Sequence, residues 1–229
     1  MNFPDLNRPV LAIDTGTSVL SLALRVNGTT RTRHAEAGTR HAELILPRIR
    51  ELFDEFGIDA ADLGAVVYAQ GPGAFTGLRI GIGTAQGLAT PFDTPLIGVP
   101  SLDAAAYLLP PSACVLAAID ARMDEVFYAW FDTVNHVRLS DYQVGEAAVI
   151  TAPDDAVWDD IRAVGNAFEL DYPPPFEGLA AMPTAVDFLE LADSGRYPAT
   201  DAASASLLYV RDKVALTAAE QIARRAGQA

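Results

Sequence analysis

Residues 70–89 read QGPGAFTGLRIGIGTAQGLA, and this stretch decides how the chain is built. The apolar run AVVYA at Ala65–Ala69 leads into it, so the pattern predicts a strand, a loop and then a helix. Yet the stretch holds Gly71, Gly73, Gly77, Gly81, Gly83 and Gly87. A glycine inside a helix costs roughly 0.8–1.0 kcal/mol relative to alanine, so the four within the helix together cost about 3–4 kcal/mol. Either a phosphate or another backbone must approach closely to justify that cost. Gly71-Pro72-Gly73 can cradle a phosphate at a helix N-terminus. However, no Gly-Lys-Ser/Thr follows, and the GxGxxxG spacing lacks the well-placed acid of a dinucleotide site. The packing reading is stronger. Gly77, Gly81, Ala85 and Ala89 recur every four residues on one side, and Gly83 and Gly87 do the same on another. Small-residue stripes let backbones come close. Thr76 is the expected N-cap, with Phe75 and Ile80 as a hydrophobic staple.

Upstream, VLAID at Val10–Asp14 reads as a strand, followed by a second over Val19–Val26, an Asn27-Gly28 hairpin turn and a returning strand over Thr29–Ala37. Thr39 is the expected N-cap of a helix whose apolar face is Ile45, Ile49, Leu52, Phe53 and Phe56. Pro47 should kink that helix or mark its first turn, and Gly57 should close it. Downstream come a strand at Leu96–Val99 and a short helix capped by Ser101 and running through Leu109. Three hairpin-linked strands followed by helix–strand–helix–strand predict a mixed sheet flanked by helices, the ribonuclease-H-like half of an actin-like protein. VLAID returns as VLAAID at Val115–Asp120, with a second strand over Val126–Phe131, so the α/β fold is expected to be duplicated. The expected division is 1–106 and 107–229, the second domain reduced. Its clearest helices are Thr184–Ser194 and Leu216–Ala226, the last packing back on the first domain.

With 229 residues, half of them hydrophobic, the chain has enough material for a real core. A formal charge of −14 opposes the basic footprint of an autonomous nucleic-acid binder. No apolar run of about 18 residues predicts a membrane span, and the N-terminus lacks the pattern of a secretion signal. Cys114 is the only cysteine, which excludes an internal disulfide and suits a reducing cytoplasm.

The candidate chemistry is sparse. Asp14-Thr15-Gly16-Thr17 sits between two strands, where actin-like ATPases hold phosphates; the bland alternative is an ordinary turn. An ATPase also needs a glycine turn in its second half, whereas Asp120–Glu125 reads DARMDE, without glycine and rich in acid. Asp14, Thr15, Gly16 and Thr17 are therefore expected to be at most a vestigial nucleotide site. His34, His41 and His136 lack a second ligand at helical spacing, because Leu44 and Ile45 follow His41, so no metal is expected. No serine-hydrolase pattern is present. No cofactor and no catalytic residue are assigned. The helix pair of residues 39–56 and 75–89 is the candidate interface.

VLAIDTGT, GPGAFTGLRIGIGTAQGLA, PLIGVPSLDA and LAAIDARMDEVF together resemble the TsaB (formerly YeaZ) family over Val10–Asp132, and LLYVRDKVA at Leu207–Ala215 resembles it weakly. The resemblance implies two actin-like domains, the second reduced. It implies a non-catalytic partner of TsaD in the synthesis of threonylcarbamoyladenosine next to the anticodon of tRNAs reading codons that start with A. TsaE joins that complex, and tRNA is met only through it. The implied TsaD-binding surface is the first two helices, here His41, Ile45, Ile49, Phe53, Gly77, Ile80, Gly81, Thr84, Gly87 and Leu88. The same surface is implied to make a homodimer when the chain is alone. The competing readings are an actin-like phosphotransferase, motivated by Asp14–Thr17, and an M22-type peptidase, for which the chain supplies no site.

Overall fold

The chain was examined as a computed structural model that describes residues 3–154, 156 and 160–211. The first sheet contains β1 (Val10–Asp14), β2 (Val19–Val26), β3 (Thr29–Glu36), β4 (Ala65–Gly71) and β5 (Leu96–Pro100). With β11 (Ala199–Thr200) its order is β11-β5-β4-β1-β2-β3. β1, β2 and β3 are antiparallel in sequence, joined at Asn27-Gly28, where both residues have positive φ. β4 runs parallel to β1 and β5, as right-handed crossovers through helices require.

The strand alternation decides what lies on each face. Leu11, Ile13, Val66 and Tyr68 point to the side covered by α1 (His41–Phe56) and α2 (Phe75–Ala89). There they meet Ile45, Ile49, Leu52, Ile82 and Ala85. Val10, Ala12, Ala65 and Val67 point the other way, onto Phe188, Leu189 and Leu191 of α4 (Ala185–Asp193). β1 is buried on both faces, which is why it reads as a continuous apolar run.

The second sheet has the order β10-β6-β7-β8, from β6 (Cys114–Arg122), β7 (Glu125–Asp132), β8 (Val137–Arg138) and β10 (Ile161–Val164). β9 (Gln143–Glu146) also pairs with β7. β6 and β7 are antiparallel and β10 is parallel to β6, which repeats the β1–β2 and β1–β4 relations. The fold is therefore a duplicated actin-like one with a reduced second half. The short α3 (Ser101–Ala106) sits between the sheets. Its Ala104 joins the α4-side core, while Leu102, Ala105 and Ala106 pack with Val115, Ile119 and Phe131 of the second sheet.

Several local expectations are corrected. α1 is preceded by Arg40 with no side-chain cap, not by Thr39, and Pro47 lies inside the helix rather than in its first turn. Gly57 does close it, in a left-handed conformation. α2 begins at Phe75 after Ala74, so Thr76 is not its cap. Instead the Ala74 amide donates to the Gly16 carbonyl at 2.7 Å, a tertiary contact that places the helix start. Ser101 is the first residue of α3 rather than its cap, Pro100 preceding it, and α3 ends at Ala106 rather than at Leu109. Thr184 does cap α4, through a capping box with Asp187. A division at 106/107 puts α4 and β11 in the second half, whereas both pack on the first sheet. The helix expected over Leu216–Ala226 lies outside the described residues.

Phe188 is fully buried between α4 and the first sheet. Phe188→Ala should therefore cost about 3–5 kcal/mol in urea unfolding. A loss below about 1 kcal/mol would show that α4 does not cover this face.

Candidate functional site

The β1–β2 turn and the start of α2 meet as one unit. Asp14 ends β1 as a buried carboxylate, and its Oδ1 accepts the Gly16 amide at 2.8 Å. Burial pushes its pKa up to about 6, partly offset by that hydrogen bond. The Thr15 hydroxyl donates to the Gly77 carbonyl at 2.8 Å, in the buried seam between turn and helix. The Gly16 carbonyl accepts from Ala74, and Thr17 Oγ1 accepts the Val19 amide at 3.1 Å. The glycines of α2 make this seam possible. A Cβ on Gly77 would collide with the Thr15 carbonyl oxygen, one on Gly81 with the Thr15 hydroxyl, and one on Gly73 would lie 2.7 Å from the Gly16 carbonyl oxygen. Asp14, Thr15 and Gly16 spend these groups on one another and on α2. A buried carboxylate that accepts the Gly16 amide also opposes an anion, so these residues do not fit a phosphate.

The second turn faces the first across a cleft of about 750 Å³, bordered by Thr17, Gly73, Phe75, Asp120 and Met123. Arg122, Met123 and Asp124 occupy three successive left-handed positions, with φ of 63°, 62° and 63°. Such conformations are costly for side-chain-bearing residues. Asp120 Oδ1 accepts the Arg122 amide at 2.7 Å, and Asn166 Oδ1 accepts the Asp120 amide at 2.9 Å, which holds the bend. The acids expected here as an open repulsive cluster are partly neutralised, since Asp120 pairs with Arg122 and Glu125 with Arg211. The histidines are scattered: His34 bonds Ser21, His136 bonds Tyr107, and His41 is buried with Nε2 lacking a partner among the described residues. No cluster of potential metal ligands occurs among the described residues.

The expected interface residues divide sharply. His41, Ile45, Ile49, Phe53, Gly77 and Gly81 are all buried within the chain itself. They hold α1 and α2 to the sheet and to the β1–β2 turn. Ile80, Thr84 and Leu88 are half-buried and Gly87 is exposed. With Gly83 these four follow the 80, 83, 84, 87, 88 spacing of one outer helix face. Gly83 and Gly87 have open space where a Cβ would stand. On the neighbouring helix Leu46 is 58% exposed beside the exposed Pro47. Leu46 lies between the core positions Ile45 and Ile49, and its one-off spacing is the signal that could have marked it.

A protein-family model described as "TsaD: tRNA N6-adenosine threonylcarbamoyltransferase" matches residues 33–223. The structure also matches "YeaZ from Pseudomonas aeruginosa" with a TM-score of 0.78 at 32% identity, covering 88% of this chain and 99% of that one. The chain belongs to the TsaB/YeaZ family. Among curated relatives, "tRNA threonylcarbamoyladenosine biosynthesis protein TsaB" of Escherichia coli strain K12 is 43% identical over 123 residues, 52% of this chain and 53% of that protein. The protein of the same description from Bacillus subtilis strain 168 is 34% identical over 128 residues, 55% of this chain and 56% of that one. This TsaB/YeaZ-family chain thus spans about half the length of the curated relatives it matches. No described helix is long and apolar enough to cross a membrane.

Two outcomes test the site. Asp14 is raised from 3.8 to about 6 by burial, so its stabilising form is the neutral one: that contribution is complete below pH 3.8 and is lost as pH rises through about 6. Asp14→Asn should therefore raise the unfolding free energy near pH 7.5 by about 1–3 kcal/mol, with the gain fading below pH ~4. An unchanged difference across that window would show that Asp14 does not titrate in the fold. In parallel, Gly83→Ala should stabilise by up to about 1 kcal/mol while Gly81→Ala destabilises, both read by chemical denaturation. Equal effects at the two positions would refute the two-faced reading of α2.

Proposed function

We propose that this chain is a non-catalytic scaffold subunit that binds TsaD, and with it TsaE, for threonylcarbamoyl transfer to the adenosine next to the anticodon. Membership of a family whose relatives are named for threonylcarbamoyladenosine synthesis supports the pathway. The observation that carries the scaffold role is the outer face of α2. Gly83 and Gly87 have open space where a Cβ would stand and still sit in a helix, at a cost of about 2 kcal/mol. Flanked by Ile80, Thr84 and Leu88 on the same helix, they offer a shallow, apolar, backbone-level surface, and α1 carries the exposed Leu46 and Pro47. A helix pair of a partner can approach closely there. The same face, two-fold related, would make the homodimer of the isolated chain. The Asp14–Thr17 turn serves as a structural lock rather than a nucleotide site, and the setting is the cytoplasm. Domain 1–106, completed by α4 and β11, carries the docking helices, and tRNA is reached only through the assembly, in keeping with the charge of −14.

Gly87→Leu is the decisive variant, because its side chain projects into open space and leaves the fold intact. It should keep or slightly raise the thermal midpoint while weakening TsaD binding at least about tenfold, a loss of about 1.4 kcal/mol, in a titration of purified proteins. Undiminished affinity in a folded Gly87→Leu protein would remove this face as the docking surface. Gly81→Leu is unsuitable, since it would disrupt the seam with Thr15 whether or not a partner binds.

A further inference from the structure

The segment after β11 carries a device that the scaffold role leaves unused. From residue 201 to residue 208 it is fixed to the first sheet and its helices. The Gln86 side-chain amide donates to the Ala202 carbonyl at 2.8 Å. The Tyr68 hydroxyl and the Gln70 amide both donate to the Ser206 carbonyl, at 3.0 and 3.2 Å. The Leu208 amide donates to the Gln70 carbonyl at 2.9 Å, and Ala205 is buried in the core beneath α1 and α2. Tyr209 then lies against Phe75 at the start of α2, with ring centroids 6.1 Å apart.

At Arg211 the segment reaches the second sheet. Its guanidinium pairs with the Glu125 carboxylate, lies 3.5 Å from the Met123 sulfur and sits over the Phe127 ring at 5.9 Å. Only 19% of the Arg211 side chain is exposed, so the pair is shielded more than an ordinary surface ion pair. Leu207, Tyr209 and Arg211 all border the cleft between the sheets. The strap is thus held at one end by three side-chain donors on its carbonyls and one backbone–backbone hydrogen bond, and at the other by a charged side chain. Its charged end grips the turn that is already bent through three left-handed residues.

We propose that residues 201–211 are a latch across the cleft, with the Arg211–Glu125 pair as its catch. The chain crosses between the sheets through α3 and returns from β10 to α4, and the two crossings are tied together: the Asp103 carboxylate of α3 accepts from Tyr142 of the second half at 2.5 Å and from Tyr197, which follows α4, at 3.1 Å. That arrangement fixes a pivot, and the latch fixes the opening. The width of the cleft is then set by the chain's own arginine. A cationic side chain of a docking partner that takes over Glu125 would release it.

Amide hydrogen exchange on the full chain tests the latch, independently of whether TsaD binds. E125Q should accelerate exchange in peptides covering 119–127 and 206–211 together, by about fivefold or more, while peptides covering β1 and β2 keep their protection. The exchanged pair E125R with R211E should restore both. Unchanged exchange in 206–211 in E125Q, or failure of the exchanged pair to restore it, overturns the proposal. Should E125Q instead unfold the chain, seen as lost protection in β1 and β2, the wild-type protein in about 1 M NaCl decides. Screening should then accelerate the same two peptides, and no acceleration there overturns the latch.

Discussion

The seam between Thr15 and the inner face of α2 is the constraint on which the rest depends. The Thr15 hydroxyl reaches the Gly77 carbonyl, and the turn's backbone and side chain occupy the space that side chains on Gly77 and Gly81 would need. Replacing either glycine would push α2 off the β1–β2 turn. Moving α2 would in turn uncover Leu11, Ile13 and Tyr68, because α2 and α1 share that face of the sheet. Two helix-interior glycines cost about 2 kcal/mol in propensity, and a close-packed, hydrogen-bonded contact at the centre of the first sheet offsets this.

The same seam shapes the function. An actin-like cleft is suited to a nucleotide when its turns present free donors, but here the Gly16 amide serves Asp14 and the Thr15 hydroxyl serves Gly77. The buried Asp14 carboxyl adds to the mismatch. One side of α2 is committed to the core and the β1–β2 turn, and Gly83 and Gly87 leave its other side shallow. The glycines of α2 thus differ by face: Gly77 and Gly81 meet the β1–β2 turn, and Gly83 and Gly87 have open space before them.

Much of the architecture was legible before any coordinates. The Asn27-Gly28 hairpin, the glycine stop at Gly57 and the echo of VLAID in VLAAID are signals with strong physical causes, and each stands where expected. Helix starts were less legible. Thr39 and Thr76 are suitable capping residues, yet α1 and α2 begin elsewhere, because tertiary hydrogen bonds such as Ala74 to Gly16 override a local preference of about 1 kcal/mol. The interface was the least legible part. Ile45, Ile49 and Phe53 form an apolar stripe that could serve a core or a partner equally well, and periodicity does not say which.

The sequence by itself determined the class of fold, its duplication, the family, and the two stripes of small residues along α2, since all of these rest on residue type and spacing. Only the tertiary structure decided which glycine stripe meets the turn and which meets solvent. It also decided that α4 and β11 return to the first sheet, and that Arg211 reaches Glu125 from 86 residues away. Helical and strand periods fix the direction of a side chain within its own element. What that side chain meets depends on how elements distant in the chain are stacked, and burial is settled by that stacking.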